Sequence, residues 1–385
     1  MDREVYAPAL MGVREARAAI ESLKLQEPRS ILLPVWEAAW RILAEDLIAP
    51  RNVPERPVAA MDGYAVSFRV ASNKKRLEVG VDRGAVWVET GDELPSWADT
   101  VVRKEASRVV DEGLVEVVPP SREWENVIIP GEFVREGALV AGRGEVLTPS
   151  RVSLILQSGI RIAKVYELTT SIIPVGSEIE PVGSLKPGVM DYITPMVAGM
   201  VSPWSKVRVL PPVPDEEARL AKMLVEASMH SDVVITIGGA SVGEKDMVKK
   251  VVARHGQIIV PGFGASVVKR GGLGVVNGRL VAMLPGQCVS AALSLHETLF
   301  RAFKGFTGRP LVRTAYLPLA ETFKLERRMP SAILFKLGRG GLEPLEWGVG
   351  LCRELVKADA YAILEPGSYR QGEILEVTLL SEGAG

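Results

Sequence analysis

Only two cysteines, Cys288 and Cys352, occur in 385 residues. No disulfide framework is implied, and the reducing cytoplasm is the default compartment. Asparagine and glutamine are scarce, at four and five, a depletion that suits a heat-adapted organism. The three histidines, His230, His255 and His296, lack the spacing of metal ligands, so no zinc or iron site is expected. Excess charge is missing too: a net charge of −1 gives no reason to expect nucleic acid or an anionic membrane as partner. No apolar run reaches membrane-spanning length, and Met1-Asp-Arg-Glu-Val-Tyr6 has no signal-peptide pattern.

What is present is an ordinary globular composition, 47% hydrophobic and 24% charged, in a chain long enough for two to four domains. Four stretches differ in pattern. Residues 1–52 carry apolar residues at helical spacing over Ala7–Leu23 and Pro34–Ile48. Residues 53–132 alternate, with strand-like runs at Leu77–Val81, Ala85–Val88, Thr100–Val102 and Leu114–Val118. Helical spacing returns at Val146–Ile162, so a helical domain over 1–52 and 133–167, interrupted by a β-rich insert, is the expected arrangement.

From 168 to 309 strands and helices alternate. Strands are expected at Leu168–Val175, Lys206–Leu210, Asp232–Ile237 and Leu280–Leu284, and helices at Asp191–Val201, Asp215–His230, Glu244–His255 and Gln287–Lys304. That order predicts a mostly parallel sheet covered on both faces. Strands are expected again in residues 310–385, at Ser331–Lys336, Ala360–Leu364 and Ile374–Leu380, as a terminal β domain.

The most informative segment is Ser231–Asp246, where an acid opens an apolar β-branched run, a glycine turn follows, and polar residues start a helix. Strand, glycine loop and helix N-terminus together make an anion site at the edge of an open α/β sheet. Gly239-Ala-Ser241-Val-Gly243 also fits the nucleophile elbow of a serine hydrolase. The same Ser241 with Glu244 forms a capping box, so Ser241 is equally a cap or a phosphate contact. Asp246 is either a first-turn acid favoured by the helix dipole or a carboxylate placed for a cation. Met61-Asp62-Gly63 reads alone as a hairpin turn, and Thr90-Gly91 as a strand end. Lys269 is either a solvated loop lysine or a phosphate contact. Cys288, at a helix start, is an inert packing residue or a stabilised thiolate.

Taken together these pieces resemble the MoeA/gephyrin E-domain family, the molybdopterin molybdenumtransferases, over nearly the whole chain. Met61-Asp-Gly-Tyr-Ala65 matches the family's MDGYA motif, and Thr90-Gly91 through Glu105 its TGxxLPxxADxVVxxE segment. Gly238-Gly-Ala-Ser-Val-Gly-Glu-Lys-Asp246 matches GGxSxGxxD, and Leu284-Pro-Gly286 begins LPGNP. The resemblance implies a multidomain α/β protein: a discontinuous helical domain, an inserted β-rich domain, a MogA-like three-layer α/β/α domain and a C-terminal β-barrel domain. It also implies insertion of molybdate, or tungstate, into adenylylated molybdopterin with release of AMP and with Mg2+ present. The implied catalytic residues are Asp62, Thr90, Glu178 and Asp246, with the metal held by Glu178, Asp215 and Asp246. Substrate would meet Gly238, Gly239, Ser241, Gly243, Asp215, Lys269, Pro285 and Gly286. A cytoplasmic homodimer is implied, with Asp62 and Thr90 serving a site completed by the α/β domain of the other subunit.

The chain departs from the pattern on several loops. TGDE is Val175-Gly-Ser177-Glu178, D-[ST]-N is Asp191-Tyr-Ile193, and KPGKP is replaced by Ser266-Val-Val-Lys269-Arg270. LPGNP is Leu284-Pro-Gly-Gln287-Cys288, and RRGED is Ile129-Pro-Gly131-Glu-Phe133. An apolar side chain cannot supply a lost charged contact. Two outcomes therefore stand beside each other, a transferase with a shifted substrate and a non-catalytic paralogue that binds or carries the pterin. The pterin-adenylating enzyme resembles residues 168–304 alone, and the MDGYA segment argues against it.

Overall fold

The computed structural model describes residues 10–80, 84–180, 189–239 and 246–380. Its centre is a six-stranded sheet. The strands are β1 (Leu168–Val175), β2 (Ser205–Val209), β3 (Val233–Gly238), β4 (Gly256–Val260), β5 (Gly272–Val276) and β6 (Arg279–Leu284), in spatial order β2-β1-β3-β6-β5-β4. β2, β1, β3 and β6 run parallel, while β5 is antiparallel to both β6 and β4. The hairpin of β4 and β5 is absent from the sequence expectation, because Gly272-Leu-Gly-Val-Val276 carries too little alternation to read as a strand.

Five helices cover this sheet: α1 (Ile193–Val201), α2 (Glu217–His230), α3 (Met247–His255), α4 (Cys288–Leu295) and α5 (Arg301–Thr307). The strands alternate between two cores, as period-2 side chains require. Ile172, Ile235, Ile237, Ala282 and Leu284 meet Ile193 and Val197 of α1 and Val289 and Leu293 of α4. On the other face Ile173, Val175, Val234, Val281 and Met283 meet Leu220 and Leu224 of α2 and Val248 and Val252 of α3. Each such aliphatic side chain contributes roughly 1.5–3 kcal/mol when fully buried. The long helix expected over Gln287–Lys304 is broken into α4 and α5 by a π-helical turn at His296–Phe300.

The opening stretch differs from expectation. Val13–Glu21 is helical, and residues 7–9 of that expected helix lie outside the described residues. Pro34–Ile48 is not helical: Ser30–Pro34 pairs antiparallel with Ile162–Tyr166, a single 3-10 turn follows at Val35–Glu37, and Leu47–Ile48 pairs with Leu139–Ala141. Trp40, at φ 66°, interrupts any helical path. Pairing with strands a hundred residues away overrides the local apolar spacing. Both pairings join residues before 53 to residues after 132, while of the helix expected over Val146–Ile162 only Pro149–Gln157 is helical and Ile162 already begins a strand.

Between them stand two three-stranded sheets. Gly63–Val66 lies between Val86–Val88 and Thr100–Arg103, and Leu114–Val117 between Arg76–Glu78 and Ser107–Asp111. Gly63 must be glycine, since a Cβ there would lie 2.2 Å from the Val102 carbonyl oxygen. At the other end, Arg313–Pro318, Ile374–Leu379, Ala360–Leu364, Ser331–Gly338 and Gly341–Pro344 form a five-stranded antiparallel sheet. It curls until Leu319 bridges Leu342, which brings its two edges together.

A buried ionic knot ties these parts to the central unit. Glu297, wholly buried, accepts hydrogen bonds from Arg17 (2.7 and 2.8 Å), from Arg301 Nε (3.0 Å) and from the Tyr361 hydroxyl (2.6 Å). Burial, the largest influence, pushes its carboxyl up. The Arg17 hydrogen bond, the Arg301 and Arg17 charges and the Tyr361 hydroxyl outweigh it and hold the group at about 2. Among the described residues, no helix is long and apolar enough to cross a membrane.

Candidate functional site

The chain leaves β1 first for β2 on one side and then for β3 on the other, so the C-terminal ends of β1 and β3 form a topological switch point, where open α/β sheets bind ligands. Val175 and Gly238 pair there, and a cavity of about 320 Å3 opens directly above them. Its floor is Val175, Gly176, Gly238 and Gly239, and Pro285, Gly286 and Gln287 form one wall after β6. Gly238 and Gly239 both have positive φ, 89° and 61°, and a Cβ on Gly238 would lie 2.3 Å from the Val175 carbonyl oxygen. Only glycine allows this backbone to fold so tightly under a ligand.

Three acids and one base face the cavity: Glu178, Asp191, Asp215 and Arg270. The Glu178 carboxylate folds over Gly176, where a Cβ would come within 2.9 Å of both its oxygens. Asp215 is fixed by a reciprocal pair, its N–H donating to the Ser177 hydroxyl at 3.0 Å and its Oδ2 accepting from the Ser177 N–H at 3.3 Å. Ser177, one of the departures from the family pattern, thereby holds the two acid-bearing loops together. Asp191 is buried and accepts from the Ile193 and Thr194 N–H groups at 3.2 and 2.9 Å, capping α1. Met190 and Tyr192 line the mouth and are 73% and 52% exposed.

Asp246 is not brought into this group. Its Oδ1 accepts from the Lys249 N–H at 3.1 Å and caps α3, while its Oδ2 lies 2.9 Å from the Lys249 ammonium, with the whole residue 3% exposed. An acid followed three residues later by a lysine on one helical turn can pair internally, and Asp246 does not line the cavity. Glu178 and Asp215 are left as a pair of hard oxygen donors. Such a pair could hold a hard divalent cation. Among the described residues, no group of three or more His, Cys, Asp or Glu side chains is close enough to hold a metal alone.

Lys269 does not line the cavity; its neighbour Arg270 does. Val267, at φ 72°, turns the backbone just before them. Asp191, Arg270 and Gln287 were not singled out as site residues from the sequence, because only the path of three separate loops brings them together. Ser241 and Gly243 lie outside the described residues.

Cys288 is not a thiolate. It is joined to Cys352, 64 residues away, with a Cα–Cα distance of 5.7 Å, so the expectation of unpaired cysteines fails. The two half-cystines come from separate units, a pairing that counting cysteines cannot reveal. The serine hydrolase reading loses one of the two histidines that follow Ser241 in the sequence. His296 is buried against Phe300 and Tyr361, with ring centroids 4.7 and 6.0 Å away, and the adjacent Glu297 is engaged by Arg17, Arg301 and Tyr361.

Asp62 and Thr90 stand apart from the cavity. Asp62 Oδ1 accepts from both the Thr90 N–H (2.8 Å) and the Thr90 hydroxyl (2.9 Å). These bonds, the backbone one first, hold the Asp62 carboxyl below the usual aspartate range despite full exposure. Two motifs 28 residues apart thus meet at one exposed carboxylate, outside the residues that line the switch-point cavity.

The arrangement has known counterparts. Residues 11–159 match the MoeA N-terminal region (domain I and II), and residues 171–305 match the probable molybdopterin binding domain. A putative molybdopterin biosynthesis protein of Methanocaldococcus jannaschii is 31% identical over 368 residues, 89% of this chain and 90% of that protein. A molybdopterin molybdenumtransferase of Haemophilus influenzae is 30% identical over 297 residues, covering 69% and 70%. Among solved structures, a MoeA molybdopterin biosynthesis protein of Pyrococcus horikoshii superposes with a TM-score of 0.72 at 25% identity, over 97% of this chain and all of that one.

Proposed function

The chain belongs to the MoeA family, the molybdopterin molybdenumtransferases, and on that premise we propose that it inserts molybdate or tungstate into adenylylated molybdopterin and releases AMP. The observation that carries the proposal is the meeting of Glu178, Asp215 and Arg270 over the Gly238-Gly239 turn in one cavity at the switch point. A pyrophosphate can approach the backbone closely at two side-chain-free residues. Arg270 supplies the fixed positive charge for that anion, in place of Lys269. Glu178 and Asp215 hold Mg2+, which neutralises the pyrophosphate and polarises its phosphorus when bound. Asp246 caps the start of α3 through Oδ1, which leaves Oδ2 as the oxygen that could turn to a cation. Pro285 and Gly286 shape the wall that faces the substrate.

Asp62 and Thr90 are proposed to act on the cavity of a second subunit, since their joined, exposed carboxylate lies outside the switch-point cavity of its own chain. We take the working molecule to be a cytoplasmic homodimer from a heat-adapted source, built of units 1–52 with 133–167, 53–132, 168–309 and 310–385. A disulfide does not contradict that compartment, because intracellular proteins of hyperthermophiles carry them.

The test supplies adenylylated molybdopterin, Mg2+ and either oxyanion, and follows AMP. Release should depend on the oxyanion and fall by about 100-fold or more in Asp215→Asn, a loss of the size expected when charge stabilisation in the transition state is removed. Mixing Asp215→Asn with Asp62→Asn subunits should restore part of the activity that neither variant has alone. Tight pterin binding without AMP release would instead mark a carrier.

A further inference from the structure

Cys288 is the first residue of α4 and directly follows Gln287, which lines the cavity. Its disulfide partner, Cys352, begins a short helix, Cys352–Lys357, in the C-terminal unit. A second tie lies beside the first. The Val349 carbonyl accepts from the Val289 N–H at 3.1 Å and the Ser290 N–H at 3.4 Å. First-turn donors that a helix normally leaves unsatisfied are thus taken up by the C-terminal unit. Gln287 is extended and provides no side-chain cap of its own. Behind these ties Trp347, Val349 and Leu355 pack against the central core, and the Arg327 guanidinium covers the Trp347 ring at 3.8 Å. The family pattern has proline where this chain has Cys288. Proline at the first helical position fixes φ without losing a needed donor; cysteine leaves φ free, so the side-chain anchor has to supply the stiffness.

We propose that Cys288 and Cys352 are positioning residues of the transferase: their disulfide holds the Pro285–Gln287 wall against the C-terminal unit, so that affinity for the anionic pterin nucleotide depends on the redox state of the pair. The identity of that ligand rests on the function proposed above; the positioning itself does not. Reduction by a dithiol transfers two electrons and two protons to the S–S bond, giving two thiols and the oxidised, cyclic disulfide of the reductant. The wall then keeps the Val349 hydrogen bonds and the packing of Trp347, Val349 and Leu355 but loses its covalent tie, so that Gln287 is less firmly held at the cavity.

The experiment compares full-length protein, oxidised and dithiothreitol-treated, with Cys352→Ser and Cys288→Pro. Peptide mapping without reductant should find the two cysteine peptides linked. Reduction and Cys352→Ser should each raise KM for the pterin nucleotide by about 5-fold or more, within the usual span of coupling between sites, while kcat stays within about two-fold. They should also speed amide hydrogen exchange at residues 286–290. Cys352→Ser should no longer respond to dithiothreitol. Cys288→Pro, which restores a stiff first turn without the bond, should keep the lower KM. Calorimetric binding of inorganic pyrophosphate, read in the same four samples, needs no turnover. Redox-dependent pyrophosphate affinity without AMP release in any sample would sink the proposed reaction and leave the positioning role standing. Unlinked peptides, or equal KM, pyrophosphate affinity and exchange in all samples, would overturn the positioning role. So would a loss of thermal stability with KM and kcat unchanged.

Discussion

At the scale of single residues, the acids of this chain divide by what already occupies their oxygens. Asp246 caps α3 beside the Lys249 ammonium, and Asp191 caps α1. Glu178 and Asp215 are exposed at the cavity and only partly engaged, so they are the pair a cation can share. Asp62 differs again. Its depressed pKa comes first from the Thr90 backbone N–H and second from the Thr90 hydroxyl. Thr90→Val removes only the second bond, so the Asp62 carboxyl should rise part of the way toward the ordinary value of about 4; carboxyl-carbon NMR titration reads it directly. An unmoved pKa would mean that the hydroxyl does not reach Asp62 in solution. Glycines and carboxylates of the site were legible because each sits in a short motif with its own backbone requirement. Arg270 and Ser177 were not, since their roles depend on how loops from different strands turn.

Among elements, strands that carry their own continuous apolar, β-branched run are legible in the sequence. β1 begins and ends at the residues its apolar run suggests, and the parallel neighbours follow within a residue or two. The error over Pro34–Ile48 arose because its partners, Ile162–Tyr166 and Leu139–Ala141, are invisible to any local window. Gly63 supplies the prediction at this scale. It pairs with both Val88 and Arg103 in the middle of its sheet, and a methyl group there would strike the Val102 carbonyl. Backbone cannot rotate aside as a side chain can. Gly63→Ala should therefore cost about 3 kcal/mol, the upper part of the range for overpacking, read as a lower urea midpoint. A variant as stable as the parent would show that the sheet can open without penalty.

The molecule as a whole responds to acid through the junction around residues 296 and 297. Burial holds the His296 imidazole at about 4, with Glu297 pulling it up and Arg301 pushing it down. Its ordinary value is near 6.5, so between those limits the unfolded chain binds the extra proton and stability must fall as pH falls. The loss between pH 6.5 and 4 is about 3 kcal/mol, at roughly 1.4 kcal/mol for each pH unit. Glu297, depressed to about 2, extends the same trend below its unfolded value near 4.5. His296→Phe fits the surrounding Phe300 and Tyr361 rings and should flatten the upper part of the curve in denaturation from pH 7.5 to 4.5. A slope unchanged by that variant would place the titration elsewhere. The same junction governs how the chain can be divided. Glu297 belongs to the central unit, Arg17 to a helix near the beginning and Tyr361 to a strand near the end. Cutting after residue 309 would strip a sealed carboxylate of its hydroxyl partner, and starting after residue 21 would take away an arginine. Neither cut yields a freely excisable pterin-binding module, so swapping or fusing that unit in engineered proteins requires carrying both ends of the chain along with it.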